Sequence, residues 1–139
     1  MAKTGKQIQG DIRRMLRESP LASAISGEVY RNGLRPRDSR QEDAVVTFTT
    51  GTPDEVQEGV VTINIFVPDT DPYDNGVMVE DTERTEELES LADEWVKNLS
   101  AAKSSYKFRL LQTIYTEEEE AINQHFVVIK LHYRYYNGE

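Results

Sequence analysis

The stretch Gly59–Pro68 limits the fold more than any other part of this chain. It reads GVVTINIFVP, and its β-branched and aromatic residues alternate with a period of two, which is the pattern of a half-buried strand. Proline has no amide hydrogen to donate to a sheet, so Pro68 closes the strand that Gly59 opens. One side carries Val61, Ile63, Ile65 and Val67, and the other carries Val60, Thr62, Asn64 and Phe66. We expect this strand at the centre of a sheet against which helices pack.

Periodic patterns on both sides of this strand predict the remaining elements. Apolar residues at steps of three and four indicate two main helices, Thr4–Glu18 and Asp81–Leu99, with Trp95 as a core residue of the second. A short helical turn is expected at Leu21–Ile25. The remaining predicted strands are Glu28–Arg31, Ala44–Thr50, Tyr106–Tyr115 and Gln124–Tyr136. The sequence therefore predicts an α+β fold, with a mixed, mainly antiparallel sheet of about four to five strands and two main helices packed on it.

The length of the chain indicates one domain. Its 139 residues are enough to bury a core of useful size, and no repeat or linker divides them. Turn-forming and charged residues predict flexible loops at 32–43, 51–58, 69–81 and 116–123. We expect residues 1–139 to fold as a single unit.

The charge balance restricts the possible partners. The net charge is -9, which disfavours general binding to nucleic acids because affinity for phosphates requires a positive surface. The chain has no cysteine, which excludes disulfides and thiolate chemistry and suits a reducing cytoplasm. The longest apolar run of the C-terminal half, Phe126–Ile129, is too short to span a bilayer, and MAKTGKQIQG at the N-terminus lacks the apolar segment of a secretory signal. We therefore expect no membrane association.

No motif brings catalytic residues together. His125 and His132 lie seven positions apart in one predicted strand, so they face opposite sides and cannot form a metal pair. The patterns HExxH, GxSxG, Walker A and GxGxxG do not occur. The carboxylates cluster in loops and helix starts, where water keeps their acidity ordinary. We therefore predict no enzymatic activity, no catalytic or cofactor-binding residues and no resident metal.

The segment Asp69–Glu80 invites comparison with a calcium loop. Counting from Asp69 places Asp71 at position three and Glu80 at position twelve, as in an EF-hand. However, Tyr73 and Asp74 stand at positions five and six, where the motif requires an acid and a glycine, and a strand precedes the loop instead of a helix. The sequence favours a solvated turn over a cation site.

Two charged segments are candidates for a binding surface. Arginines concentrate in and beside the predicted loop Leu34–Arg40, at Arg31, Arg35, Arg37 and Arg40. They are either hydrated or they bind an acidic partner, and a protein is favoured over DNA. Four consecutive acids, Glu117, Glu118, Glu119 and Glu120, follow the strand Tyr106–Tyr115. They predict a solvated hairpin tip, with an electrostatic contact to an arginine-rich neighbour as the sharper hypothesis and a divalent metal site as a weaker one.

The chain also shows a sequence of short motifs in a characteristic order. These are Val29-Tyr30, Gly33, Pro36, Ala44–Thr50 and GVVTINIFVP, followed by a helix and the closing strand Gln124–Tyr136. In this order, which covers most of its length, the chain resembles the tail-terminator, or tail-completion, proteins of long-tailed bacteriophages. The resemblance implies a homo-oligomeric ring, commonly a hexamer, that caps the tail tube and offers a surface to the head connector. It implies no catalytic residues, and it places the protein in the virion tail or neck after assembly in the host bacterial cytoplasm.

A ring subunit needs surfaces that meet across a head-to-tail interface. We expect the arginines 31, 35, 37 and 40 and the acids 117 to 120 to contribute to it, and DNA to pass the acidic lumen without specific binding. Asn64 and Phe66 are further candidates, because their face of the strand is neither wholly apolar nor charged. The alternatives are another head–tail connector or neck protein, or a small ligand-binding or enzymatic domain.

Overall fold

The computed structural model describes residues 2–136, which form an α+β fold. Its helices are α1 (Gly5–Arg17), α2 (Pro20–Ala24) and α3 (Thr82–Ala101). Its strands are β1 (Val29–Arg31), β2 (Ala44–Gly51), β3 (Val56–Pro68), β4 (Tyr106–Leu110), β5 (Tyr115–Glu119) and β6 (Gln124–Tyr136), with a 3-10 turn at Glu120–Ile122. The predicted fold class is confirmed, and the sheet, with six strands in this part of the chain, is larger than expected.

The strand that contains GVVTINIFVP lies at the centre of the sheet. The strand order is β1-β2-β3-β6-β4, and β5 pairs with the other half of the β6 edge that β4 occupies. Only β1 and β2 run parallel among these pairs; the others are antiparallel. Ile63 is level with Val46 on one side and with Ile129 on the other, so inward residues of three strands form one row.

All three helices pack on one face of this sheet. From α1 and α3, the buried side chains on this face include Ile8, Ile12, Leu16, Leu88, Ala92 and Trp95. They join Val61, Ile63, Ile65 and Val67 of β3 in a single apolar cluster. Thr4 and Gln7 form a capping box at the start of α1, which satisfies amide groups that the helix leaves unpaired. None of the described helices is long and apolar enough to cross a bilayer.

Two strand boundaries differ from the predicted ones. β3 begins at Val56, so the predicted loop 51–58 shortens to residues 52–55 between β2 and β3. The predicted strand Tyr106–Tyr115 is interrupted after Leu110, because Leu110 and Tyr115 pair with Leu131 and Val128, which are closer together along β6. The residues between them, 111–114, therefore belong to no strand.

Asp11 ties α1 to the edge of the sheet. Lys3 Nζ lies 2.5 Å from its carboxylate and the Tyr106 hydroxyl donates to it at 2.6 Å. Burial acts to raise the pKa of Asp11, but the hydrogen bonds from Lys3 and Tyr106 outweigh it and hold that pKa below its usual value. Burial and the same contact with Asp11 raise the pKa of the Tyr106 hydroxyl.

This carboxylate should make folding stability depend on pH. Because its pKa is lower in the folded chain, Asp11 stabilises the fold above its unfolded pKa of about 3.9, and this contribution disappears as the pH falls through the folded value. We expect Asp11→Asn to lower the free energy of unfolding at pH 7. At pH 2–3 its free energy of unfolding should approach that of the wild type, measured by urea denaturation. Asp93→Asn, which affects an exposed pair with Lys97, is the control. An Asp11→Asn difference that is constant across this pH range would contradict the assignment.

Candidate functional site

The face of the sheet turned away from the helices is the candidate site, and we call it the open face. It arises because alternate strand residues point to opposite sides, so the residues that do not enter the core share this surface. Antiparallel sheets commonly leave one face without a covering helix. The open face comprises Tyr30, Val45, Thr47, Glu58, Val60, Thr62, Asn64, Phe66, Lys107, Arg109, Tyr115, Glu117, Glu119, Phe126, Val128, Lys130, His132 and Arg134.

The centre of the open face is apolar around a single amide. Val45, Asn64 and Val128 are level across β2, β3 and β6. Val45 is 8% exposed and Val128 is 3% exposed, although neither belongs to the cluster beneath the helices. Asn64 Oδ1 is buried and accepts no hydrogen bond from residues 2–136. A buried acceptor without a partner is unfavourable by about 1–3 kcal/mol, so this position is not optimised for the isolated chain.

Positive charge gathers beside this apolar centre. Lys107 lies opposite Arg134, and Arg109 lies opposite His132. Like charges in directly opposed positions repel each other. Glu58 contacts His132 Nε2 at 3.3 Å and Arg134 Nε at 3.5 Å.

Three of the cations remain without a carboxylate. Lys107, Arg109 and Lys130 form no ion pair with any described residue. In a chain of net charge -9, these unpaired cations favour an acidic partner that covers the open face.

Arg35 covers Phe66 at one end of the open face and is held there by contacts within the chain. Its guanidinium lies 4.2 Å from the centre of the Phe66 ring, which in turn lies 5.3 Å from the ring of Phe126. Arg35 Nε is 2.9 Å from Asp43 Oδ2, and its Nη2 donates to Gln124 Oε1 at 2.9 Å. Its side chain is only 10% exposed. Arg35 therefore has a structural role inside the fold, where Asp43 neutralises its charge, and its contribution to an interface stays a prediction.

The remaining predicted arginines do not form one cluster. Arg31 belongs to β1 and points toward α1, where it donates to the Lys6 carbonyl at 3.0 Å. Arg40 donates to the carbonyl of Ile122 at 3.3 Å. Arg37 alone is exposed without a partner in the described chain. The predicted basic loop is thus dispersed, because Arg31, Arg35 and Arg40 each meet a different acceptor and Arg37 meets none in the described chain.

The predicted acidic loop tip is also corrected by the structure. Glu117, Glu118 and Glu119 lie in β5, and Glu120 begins the 3-10 turn that follows. Because strand residues alternate, Glu118 faces the helix side and its neighbours face the open side. Glu117 accepts a hydrogen bond from the Tyr115 hydroxyl at 2.7 Å. The four acids do not converge on one partner, because β6 extends far enough to pair with them as a strand.

The acids of Asp69–Glu80 are engaged by the protein itself. Asp69 Oδ1 lies 2.7 Å from His125 Nδ1, and Asp71 accepts the amide hydrogens of Asn75 and Gly76. Glu80 accepts from the Thr85 hydroxyl at 2.7 Å. Within residues 2–136 no group of three or more His, Asp or Glu side chains has a metal-binding arrangement. These contacts account for Asp69, Asp71 and Glu80 as turn-forming and anchoring groups, whereas Asp74 is exposed.

Known proteins share little sequence with this chain. No protein-family model matches the sequence, and no curated protein matches it significantly. One solved structure is 13% identical, with a TM-score of 0.46, over 94% of this chain and 93% of its own.

Proposed function

We propose that this chain is a structural subunit of a bacteriophage or prophage particle, which forms a ring that caps the tail tube and joins it to the head connector. The observation that carries the proposal is the open face. It combines an apolar centre, the buried side-chain oxygen of Asn64 without a partner in the described chain, and three cations without carboxylates. The order of motifs that resembles tail terminators supplies the particular assembly.

A second copy of the chain is the partner that fits this face. The chain carries nine more negative than positive charges, so its other surfaces are predominantly acidic. Contact between the open face and a different surface of the next copy is heterologous, and such contacts generate closed rings when the rotation between copies permits. A hexamer is favoured by the resemblance. The ring would be assembled in the host cytoplasm and reside in the tail or neck of the virion.

An acidic ring also suits the passage of DNA. Phosphates are repelled by a surface of the same sign, so DNA moves through the lumen without specific binding. The cations that would otherwise attract phosphate, Lys107, Arg109 and Lys130, are covered in this arrangement by the neighbouring copy. We assign the chain no enzymatic activity and no cofactor.

The proposal predicts that Asn64→Lys prevents assembly while leaving the chain folded. A lysine at this position adds a fourth cation without a carboxylate and fills the apolar centre. Native mass spectrometry and light scattering should find a ring of discrete mass for the wild type, alone or with isolated tail tubes, and smaller species for Asn64→Lys. Asn98→Lys makes the same chemical change on the exposed side of α3 and should assemble normally. Circular dichroism confirms folding of both variants.

Different results would overturn different parts of the proposal. A strict monomer at high concentration that also fails to decorate the ends of tail tubes in negative-stain images would exclude the ring and favour a ligand-binding or enzymatic domain. A ring that binds the neck but not the tube would identify another connector protein. Unfolding of Asn64→Lys would place the open face in the core of the single chain.

A further inference from the structure

The loop Asp69–Glu80, which we call the Tyr73 loop, exposes large apolar side chains beyond the end of β3. Tyr73 is 80% exposed and Val77 is 58% exposed. Tyrosine is enriched among the residues that dominate binding energy at protein interfaces. Tyr73 and Val77 thus offer apolar side chains to a partner from one short loop.

The backbone of the Tyr73 loop is held in one shape. Thr70 and Val79 exchange two backbone hydrogen bonds of 2.8 Å at its base. Asp71 accepts the amide hydrogens of Asn75 and Gly76 at 3.1 and 2.9 Å, which fixes the turn that presents Tyr73. Little conformational entropy remains to be lost when such a loop binds, so its contacts contribute more fully to affinity.

The base of the loop is attached to the start of β6. His125 of β6 contacts Asp69 through Nδ1 at 2.7 Å and lies 3.6 Å from Glu80 through Nε2. Both ends of the loop therefore connect to the same histidine. This anchor fixes the direction in which Tyr73 projects relative to the open face.

The charges of the Tyr73 loop complement those of the open face. The loop contains the acids Asp69, Asp71, Asp74 and Glu80 and no lysine or arginine. Asp74 is exposed beside Tyr73. The open face offers Lys107, Arg109 and Lys130 beside its apolar centre. The other acidic loop, residues 52–55 between β2 and β3, has no large apolar side chain. It could therefore pair with the cations of the open face but not pack on its apolar centre.

We propose that the Tyr73 loop of one copy docks on the open face of the next copy. Tyr73 packs against the half-buried Thr62 at the rim of the apolar centre, and Asp74 lies toward the cations. The inference rests on the proposed ring and specifies the two surfaces that meet in it. Because loop and face occupy different parts of the molecule, the contact is head-to-tail, as ring closure requires.

Truncation of the tyrosine tests the contribution of the loop. We expect Tyr73→Ala to raise the protein concentration at which half of the chains are assembled by at least about tenfold. Its high exposure means that the single chain should melt as the wild type does. Leu34→Ala removes another exposed apolar side chain, 64% exposed, and should leave assembly unchanged. Equal assembly of Tyr73→Ala and the wild type would overturn the inference.

Cross-linking tests the geometry, and the absence of native cysteine makes the result specific. The double variant Tyr73→Cys/Thr62→Cys, treated with a short bis-maleimide, should give a ladder of covalent oligomers that ends at the ring. A mixture of the two single variants should give dimers containing one chain of each. The pair Tyr73→Cys/Asn98→Cys should give no ladder. Dimers formed by Tyr73→Cys alone would indicate a two-fold contact and overturn the proposal.

The failure of this inference can be separated from failure of the proposed function. Rings that form in the wild type, break in Asn64→Lys and show no Tyr73–Thr62 cross-link would exclude the loop as the occupant and retain the ring. A wild type that forms no ring, alone or on tail tubes, would exclude both.

Discussion

Replacing Arg35 by methionine should lower the free energy of unfolding by about 3–5 kcal/mol, because it leaves a buried carboxylate without its cation. The Asp43 side chain is only 2% exposed. Its remaining contacts, from the amide of Glu28 at 2.9 Å and the Ser39 hydroxyl at 2.5 Å, do not neutralise its charge. Urea denaturation followed by the fluorescence of the single tryptophan, Trp95, measures the loss.

A control from the same loop separates this effect from a general effect of losing an arginine. Arg37→Met makes the same change at an exposed position and should alter stability by less than about 0.5 kcal/mol. Adding Asp43→Asn to Arg35→Met should recover part of the loss, because the charge left in the interior is removed. Equal stabilities of Arg35→Met and Arg37→Met would show that the Asp43 pair contributes nothing.

Gly59→Ala should destabilise the protein by about 3 kcal/mol, because the new methyl group has no space between β2 and β3. A Cβ at this position would lie 2.0 Å from the Thr50 carbonyl oxygen and 2.7 Å from Gly51 Cα. Both are backbone atoms of the neighbouring strand, so the sheet itself must open. Thermal and urea unfolding of the purified variant measure the change.

Gly10 in α1 provides the control, because the atoms that an added Cβ would meet there belong to a side chain and not to the backbone. A Cβ there would meet Arg31 Nη2 at 2.5 Å, and the end of an arginine can move. Alanine also has the higher helix propensity, so the two effects oppose each other. We expect Gly10→Ala to change stability by less than about 1 kcal/mol. A loss as large as that of Gly59→Ala would show that crowding of the backbone is not the cause.

The elements that were predictable from the sequence are those whose pattern is local. The alternation in Gly59–Pro68 identified the four inward residues of β3, and all four are buried. The apolar steps in α1 and α3 gave both main helices to within a few residues. In these segments, burial of a periodic face and the backbone geometry favour the same structure.

The errors arose where the outcome depends on a partner strand. Glu117–Glu119 resemble a solvated tip in isolation, but β6 extends past them and draws them into the sheet. The break after Leu110 depends on the register with β6, which no local pattern reveals.

The candidate site was partly predictable for the same reason. Asn64 and Phe66 were identified from the mixed character of one face of β3. Alternation along each strand puts Lys107 on the same face as Arg109, and Lys130 on the same face as His132 and Arg134. That these faces are one surface follows only from the register between β4 and β6. The ion pair of Arg35 was not predictable from the sequence, because the fold brings Asp43 to it.

The pairing of β3 with β6 along its full length has a consequence for synthesis of the protein. β6 leaves the ribosome after every other described element, yet it occupies the middle of the sheet, between β3 and β4. Until it arrives, β3 has an unpaired edge and the row Val61, Ile63 and Ile65 lacks its neighbours. Native packing therefore waits for β6, and until β6 pairs with β3 the nascent chain exposes an aggregation-prone edge.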